Sequence, residues 1–373
     1  MVLDESEGIY RPEIVDPKIT GKGVEFAVCP GKGVPLRQLA REVFGAGKES
    51  CLELGTFETV VAARSTNEEI LAAASSGGVM TAIAAYLLET GRVDGVLTSV
   101  FSHDGKGPRT QTIIARSLQD LFKGQGSKYC PTTTNQMVAE CVRKGGKYLF
   151  IGTPCQVAAL RLAMRQDASL KAVFPLNMAN FCGGYRDFRD LDAMITRHGM
   201  NPAQTQFFRF RGGGQPGSML IVSQDGRKAT EPFPDYGRHS TQAKQKRCTF
   251  CIDGTGELAD FACGDAWLPR FASDSKPWSI VLTRSPLATE VFHCMVNEHR
   301  IVTQPVTRDE VITSQRHNLD SKKFRQFKRV RVCSALGMML PEWDTPLPSH
   351  TGSYAQEIRI LLGKLKSRIL GSV

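Results

Sequence analysis

The sequence has no apolar run long enough to span a bilayer. The longest such run, Val79–Leu88, contains Thr81 and is far shorter than the roughly 20 residues of a membrane-spanning helix. The first residues, MVLDESEGIYRPE, are acidic and polar, which is not the pattern of a signal peptide. No internal repeat is evident. These absences predict a soluble, cytoplasmic protein without a transmembrane segment.

The cysteine content is the first positive signal. The chain has 373 residues, 41% of them apolar, which is enough for one large domain or two ordinary ones. Eleven cysteines in a reducing compartment indicate metal ligands or redox chemistry rather than disulfides. We expect the cysteines without a paired or turn-rich context to be ordinary buried residues, and these are Cys51, Cys141, Cys294 and Cys333.

The chain is also basic, with a net charge of +10. Much of the excess lies in Arg316–Arg331, RHNLDSKKFRQFKRVR. A solvated helix face, a nucleic-acid surface and a site for an acidic partner are all compatible with such a run. We favour the solvated face and expect no nucleic-acid partner. The amphipathic helix predicted within Tyr354–Leu370 is expected to pack on its own domain rather than on a membrane.

The segment Lys246–Trp267, KRCTFCIDGTGELADFACGDAW, contains the pair Cys248 and Cys251. Two intervening residues allow both thiolates to face one metal site from a single loop. A cubane iron–sulfur cluster and an all-thiolate zinc site each need four sulfurs, so two more must come from elsewhere.

Two further cysteines follow predicted strands. Cys155 comes after the strand Tyr148–Ile151 and begins a helix, a position that is expected to lower the pKa of its thiol. Cys182 ends the predicted strand Ala172–Phe181. Because a right-handed crossover places the carboxyl ends of successive parallel strands at one sheet edge, we expect both thiols to approach the Cys248–Cys251 loop.

A different kind of site is predicted at Ser75-Ser76-Gly77-Gly78, which opens the helix Val79–Thr90. Free N–H groups at a helix N-terminus attract phosphate and other anions, and paired glycines let a ligand approach the backbone. An ordinary N-cap is the alternative. The basic, glycine-rich stretch Phe207–Gly217 is expected to be a flexible loop that is either a plain surface loop or a contact for substrate or phosphate.

The serine–glycine and cysteine motifs occur in a defined order, together with further short motifs. The full set is Ser75-Ser76-Gly77-Gly78-Val79, Gly126-Ser127-Lys128-Tyr129, Gly152-Thr153-Pro154-Cys155-Gln156, Phe181-Cys182-Gly183-Gly184, Cys248-x-x-Cys251, and Ala259-Asp260 with Gly264-Asp265-Ala266-Trp267. By their order and spacing, the chain resembles the beta-subunit family of coenzyme F420 hydrogenase and dehydrogenase. The Phe-Arg-Gly-Gly-Gly and Cys-Gly-Gly stretches are most similar to a bacterial branch associated with surface-polysaccharide loci.

The resemblance implies an α/β (mixed α+β) fold, with a partly parallel sheet, flanking helices, an irregular cysteine-bearing loop and a C-terminal helical tail. It implies an iron–sulfur flavoprotein oxidoreductase with a [4Fe-4S] cluster and FAD, and a hydride carrier such as coenzyme F420 or another acceptor. The implied cluster ligands are Cys155, Cys182, Cys248 and Cys251. The implied flavin contacts are Ser75, Ser76, Gly77, Gly78, Ser127 and Lys128. With a flavin phosphate at the paired glycines, Gly77→Val is expected to abolish flavin binding and to leave the fold intact.

The expected organisation has four parts: a lead-in with a degenerate ferredoxin-like remnant (1–58), a flavin-binding region (59–150), a cluster region (151–315) and a basic extension (316–373). Only Cys29-Pro30 is left of the remnant, so a second cluster is not expected. Cys263 competes for a ligand role. A four-cysteine zinc site in a non-enzymatic binding module, and an electron-transfer subunit without a substrate of its own, are the alternatives.

The expected partners are a ferredoxin-like or other electron-transfer protein and an acidic hydride carrier, in an assembly that could be oligomeric. An acidic partner would be drawn to a basic rim. The candidates for that rim are Arg209, Arg211, Lys244, Lys246 and Arg247.

Overall fold

The computed structural model describes residues 1–13, 23–103, 105–238 and 245–370. The strands are β1 Val2–Asp4, β2 Ile9–Arg11, β3 Gly33–Val34, β4 Ser50–Cys51, β5 Gly55–Thr56, β6 Thr59–Ser65, β7 Gly95–His103, β8 Pro108–Ala115, β9 Tyr148–Gly152, β10 Leu176–Asn180, β11 Thr205–Arg209, β12 Ser218–Ser223, β13 Lys228–Pro232, β14 Phe261–Asp265, β15 Ser279–Thr283, β16 Ile301–Pro305 and β17 Glu342–Trp343. The α-helices are α1 Val24–Ala27, α2 Leu36–Phe44, α3 Glu68–Ala73, α4 Val79–Glu89, α5 Leu118–Gly124, α6 Val138–Lys144, α7 Pro154–Gln166, α8 Leu170–Val173, α9 Phe188–Arg197, α10 Asp235–Arg238, α11 Lys246–Phe250, α12 Pro269–Ala272, α13 Pro286–Asn297, α14 Arg308–Ser314, α15 Arg316–Leu319, α16 Gln326–Ala335 and α17 Tyr354–Leu370. A π-helical turn, Asp320–Phe324, joins α15 to α16.

An eight-stranded mixed sheet organises the molecule, in the order β16-β6-β15-β14-β10-β9-β7-β8. The four central strands β14, β10, β9 and β7 are parallel to one another. The strands outside them pair antiparallel. The predicted α/β fold class, with its partly parallel sheet and flanking helices, is therefore confirmed.

Helices cover both faces of the central strands. Leu149 of β9 points to the face packed by α4 and α13, whereas the next residue, Phe150, points to the face packed by α2 and α7. Met178 and Ala179 of β10 alternate in the same way. Because both faces are buried, β9 is an almost continuous apolar run, as parallel strands of α/β proteins usually are. Strand β10 departs from this pattern at the buried Asn177.

A second sheet, β11-β12-β13, is antiparallel and packs through Phe208 and Ile221 against helix α9. Strands β12 and β13 form a hairpin after Gly217. The strand predicted over 172–181 begins only at Leu176, because residues 170–173 form α8. Within the described residues, no helix is both long and apolar enough to cross a membrane.

The interpretation of Arg316–Arg331 as a solvated helix face is wrong. Lys322 and Lys323 are 2% and 0% exposed, and Arg329 is also buried. Glu357 of α17 accepts from Arg325 and Arg329, at 2.7 and 2.8 Å. These ion pairs fasten the C-terminal helix to the body of the protein, so the expectation that this helix packs on its own domain is confirmed for its first turn.

The N-terminal and C-terminal extensions meet each other. Strand β17 pairs in parallel with β3, Glu342 opposite Gly33. A side chain at Gly33 would collide with the Glu342 backbone, so only glycine permits this approach. The Asp344 carboxylate accepts the N–H groups of Arg37 and Gln38 at the start of α2.

Candidate functional site

The four predicted sulfur ligands line one cavity, which is located at the carboxyl ends of β9 and β10. These strands are parallel neighbours, with Ile151 opposite Met178. Cys155 is the second residue of α7 and Cys182 lies just beyond β10, so the sheet places them side by side. Cys248 in α11 and Cys251 just after it complete the set. The structure therefore brings together the four residues that the sequence grouped.

Local hydrogen bonds hold the first two sulfurs. The Thr153 hydroxyl lies 3.3 Å from the Cys155 sulfur, and the Gly184 N–H donates to the Cys182 sulfur at 3.4 Å. Thr153 and Gln156 form a capping box that fixes the start of α7. Donors to sulfur of this kind are one of the means by which proteins adjust iron–sulfur clusters.

Burial dominates the protonation of these thiols. It raises the pKa of Cys182 to about 12, against the opposing charge of Lys322. The prediction of a lowered pKa for Cys155 is wrong: burial, followed by the neighbouring Cys251 sulfur, raises its pKa above the ordinary value. A metal would reverse this preference, because a coordinating thiol is deprotonated.

The loop after the cysteine pair is folded around a carboxylate. Asp253 accepts the N–H groups of Thr255, Gly256 and Glu257 at 2.8 to 3.2 Å. The fully buried Arg284 donates to the carbonyls of Thr255 and Gly256, at 3.1 Å each. The acidic, turn-rich character of this segment is therefore structural, since it fixes the chain that leads from the cysteines into β14.

Side chains of α16 also hold the Cys248–Cys251 loop through hydrogen bonds. The Gln326 amide donates to the carbonyls of Thr249 and Cys251, at 2.9 and 3.1 Å. The Arg329 guanidinium donates to the Thr249 carbonyl at 2.7 Å. The basic segment thus holds the Cys248–Cys251 loop in place, a role that sequence reasoning missed.

Lys322 is the other residue that sequence reasoning missed. It lies in the π-helical turn and lines the same cavity as the four cysteines. Burial opposes its charge, but the sulfurs of Cys251, Cys182 and Cys248 outweigh burial and hold the pKa of Lys322 above the ordinary lysine value. No sequence signal distinguishes Lys322 from its basic neighbours.

The cysteines outside this cavity have different surroundings. Cys263 lies in β14 and packs in the core between the sheet, α4 and α13. Its pKa is raised to about 12 by burial. Cys141 and Cys333 are fully buried, as expected, whereas Cys51 and Cys294 are only partly buried. Cys29 is exposed.

The predicted anion site at the start of α4 differs from the expected row of free N–H groups. Gly78 is left-handed, with φ of 70°, and is the N-cap of α4. The Gly77 N–H already donates to the Ser279 hydroxyl at 3.0 Å, so it is not one of the free donors that we expected. A Cβ at Gly77 would lie 2.5 Å from the Ala63 carbonyl and 2.8 Å from the Ser279 nitrogen. Gly77 is therefore required for packing against β6 and β15, and the expectation that Gly77→Val leaves the fold intact is wrong.

The two predicted flavin segments lie against each other. The Ser127 N–H donates to the Ser75 hydroxyl at 2.9 Å. The Lys128 ammonium donates to the carbonyls of Gly124 and Gly126, at 2.7 and 3.2 Å, and burial lowers its pKa to about 8. Ser76 turns inward and contacts the Ser279 hydroxyl at 2.6 Å.

The expected basic rim is not a single surface. Arg211 is 1% exposed and pairs with Asp265 at 2.5 Å, so its assignment to an exposed rim is wrong. Arg211 also donates to the Ser75 carbonyl at 2.7 Å, which ties it to the predicted flavin segment. Arg209 is partly buried, while Arg247 is exposed and stacks over the Tyr185 ring. Lys244 and the side chain of Lys246 lie outside the described residues.

Two family models match most of this chain. Residues 60–139 match the model of the coenzyme F420 hydrogenase/dehydrogenase beta-subunit N-terminal region, and residues 145–309 match that of its C-terminal region. The chain belongs to this family. Its four candidate cysteines lie in the second matched region and its predicted flavin segments in the first, whereas Lys322 lies beyond both. Membership of the bacterial branch stays a prediction.

The individual relatives have low sequence identity to this chain but align with most of its length. The coenzyme F420 hydrogenase beta subunit of Methanosarcina barkeri is 26% identical over 68% of this chain and 84% of its own length. The beta subunit from Methanococcus voltae is 24% identical over 68% of this chain and 87% of its own length. The one from Methanothermobacter thermautotrophicus is 24% identical over 77% of this chain and 99% of its own length.

The fold has a solved counterpart. A chain of the F420-reducing nickel–iron hydrogenase complex of Methanosarcina barkeri superposes with a TM-score of 0.62 at 23% identity. The superposition covers 80% of this chain and 99% of that one. The likeness extends the family match to the three-dimensional arrangement of the chain. The family is one of oxidoreductase subunits.

Proposed function

We propose that this chain is an iron–sulfur flavoprotein oxidoreductase subunit that passes electrons between a [4Fe-4S] cluster and FAD. Cys155, Cys182, Cys248 and Cys251 would hold the cluster. A cluster of this kind accepts or donates single electrons, and a flavin exchanges single electrons for a hydride. The observation that carries the proposal is the convergence of four thiols from three separate segments on one cavity.

The donor set suits a cluster better than a zinc ion. Zinc needs its sulfur ligands at about 2.3 Å from a single centre. Sulfurs that surround a cavity, with a hydroxyl and an N–H directed at two of them, match a larger polynuclear group.

The test is the visible spectrum and the iron, sulfide and zinc content of the full chain purified without oxygen. We expect about four irons and four sulfides per chain, as a cubane with four cysteine ligands requires. Cys155→Ser and Cys248→Ser should bleach the cluster. Cys263→Ser is the matched control, because this buried thiol belongs to the core, and it should leave the spectrum unchanged. Stoichiometric zinc in place of iron would reject the cluster.

The proposed flavin lies along Ser75–Gly78 and Ser127–Lys128. Support comes from the direct contact of these segments and from the helix terminus that follows Gly78. With the Gly77 N–H engaged and Ser76 turned inward, the contacts available to a phosphate are the backbone from Gly78 into α4 and the Lys128 ammonium. Lys128 would supply positive charge beside the phosphates.

Lys128→Gln tests this placement, measured as the dissociation constant of FAD with the apoprotein. We expect weaker binding by about tenfold, which is the loss of one charge-assisted hydrogen bond of about 1.5 kcal/mol. In the parent protein, FAD affinity should fall as the pH rises through about 8, since the Lys128 ammonium loses its proton there. Lys123→Gln is the control, because Lys123 is an exposed residue paired with Asp120. Unchanged affinity in Lys128→Gln would remove Lys128 from the flavin site.

The proposed partners are an electron-transfer protein and a hydride carrier, with coenzyme F420 as the candidate that the relatives' names suggest. These relatives are named as subunits, so we propose that this chain also works within an assembly. Arg247, which is exposed and lines the cysteine cavity, is the rim residue that we propose an acidic partner would meet.

A further inference from the structure

Two neighbouring lysines in the π-helical turn Asp320–Phe324 are buried but have different surroundings. Lys323 pairs with Glu257 at 2.6 Å. Lys322 lines the cysteine cavity instead, and among the residues that the structure describes no carboxylate forms an ion pair with it. A π-helical turn is rare and is frequently found at functional sites. The turn here directs Lys323 to the Glu257 carboxylate and Lys322 to the cavity of the cysteine sulfurs.

An isolated buried charge is expensive, so an unpaired lysine is retained in an interior only where something compensates it. The cavity that Lys322 lines also contains the sulfurs of Cys182, Cys248 and Cys251. Asp253 is in the same lining, but its carboxylate is engaged by the backbone N–H groups of residues 255–257. As thiols the three cysteines compensate a cation poorly. As thiolates they carry the negative charge that a buried ammonium requires. The position of Lys322 is therefore explained by a site whose sulfurs are deprotonated.

We propose that Lys322 is a positioning residue that sets the reduction potential of the cluster through its fixed positive charge. This inference rests on the proposed function. Uptake of one electron adds one negative charge to a group that four thiolates already make anionic, and no proton has to move. A nearby cation stabilises the reduced form more than the oxidised form, and weak screening inside the protein strengthens the effect. Lys322 thus raises the potential.

The surrounding contacts keep the lysine in this position. A Cβ at Gly254 would lie 3.5 Å from the Lys322 side chain and 3.1 Å from the Asn318 amide. The Asn318 amide also donates to the Gly254 carbonyl at 3.2 Å, and the Cys182 N–H donates to the same carbonyl at 2.9 Å. Gly254 therefore connects the turn that carries Lys322 to the loop that carries Cys182.

The experiment is an EPR-monitored titration of the full chain, purified without oxygen and reduced stepwise with dithionite. Lys322→Met and Lys322→Gln remove the charge, and Lys322→Arg keeps it. The control combines Lys323→Met with Glu257→Gln, which disturbs the same turn but removes a neutral pair. Iron content is measured for every variant.

We expect the potential to shift to more negative values in Lys322→Met and Lys322→Gln, at parental iron content, and to stay near the parental value in Lys322→Arg and the control. A parental potential in Lys322→Met overturns the inference, and so does an equal shift in the control. If both neutral variants lose iron, retention of iron by Lys322→Arg supports a requirement for charge, and its loss there overturns it. A parent chain without iron would instead reject the proposed function itself.

Discussion

Two segments of this chain, Phe207–Gly217 and Arg316–Arg331, are both basic, and both approach the proposed cofactor sites. In the first, Arg211 is buried but neutralised by Asp265, and it braces the Ser75 backbone. In the second, Lys323 is neutralised by Glu257, whereas Lys322 faces the cysteines. In the first segment, the buried charge of Arg211 has a structural role. In the second, Lys323 has a structural role, whereas Lys322 lies at the proposed cluster site.

The comparison shows that the density of charge along a sequence does not determine its exposure. The glycines of the first segment predict an exposed loop, and the lysines of the second predict an exposed helix face. Both expectations neglect tertiary partners that are distant in sequence, Asp265 in one case and Glu257 and Glu357 in the other. A buried cation needs such a partner, and the partner cannot be identified from the basic segment alone.

The largest effect is expected for Arg211→Gln. The substitution leaves Asp265 without its cation and removes the donor to the Ser75 carbonyl. We expect the free energy of unfolding to fall by about 3–5 kcal/mol, as for other broken buried pairs. Urea unfolding of the apoprotein measures it. Arg209→Gln is the control within the same segment. An equal loss of unfolding free energy in both variants would contradict a particular contribution from the Arg211–Asp265 pair.

A smaller effect is expected for Glu357→Gln, which weakens the ion pairs with Arg325 and Arg329. The loss should be roughly 1.5–3 kcal/mol, the usual contribution of a hydrogen bond to a charged group. Limited proteolysis should then cleave α17 faster than in the parent. Since Arg329 also donates to the Thr249 carbonyl, the Cys248–Cys251 loop should become more susceptible to proteolysis as well. Unchanged cleavage of both regions would contradict this connection.

The smallest effect is expected for Arg316→Ala at the exposed start of the second segment. Arg316 pairs with Asp320 at 2.9 Å, and their side chains are 64% and 42% exposed. Exposed pairs one helical turn apart contribute only about 0.3–0.5 kcal/mol. The midpoint of urea unfolding should therefore stay within error of the parent. A loss as large as that of Glu357→Gln would remove the distinction between the exposed and buried parts of the segment.

Sequence reasoning succeeds best where local pattern and topology coincide. The apolar strand before Cys155 and the crossover to Cys182 are enough to place two sulfurs at one sheet edge. The role of Gly77 could not be predicted, because its constraint comes from backbone atoms of β6 and β15. The prediction for the pKa of Cys155 is wrong because the helix-terminus argument ignores burial and the neighbouring sulfurs.

The wall of the cysteine cavity draws on residues from Pro30 to Trp343. A ribosome releases these residues in order, so the sulfurs of Cys155, Cys182, Cys248 and Cys251 emerge well before Lys322 and Trp343. The wall of the cavity is therefore incomplete until Trp343 has been synthesised. Under the proposed function, iron and sulfide supplied before Lys322 and Trp343 have been synthesised would reach a cavity whose wall is still incomplete.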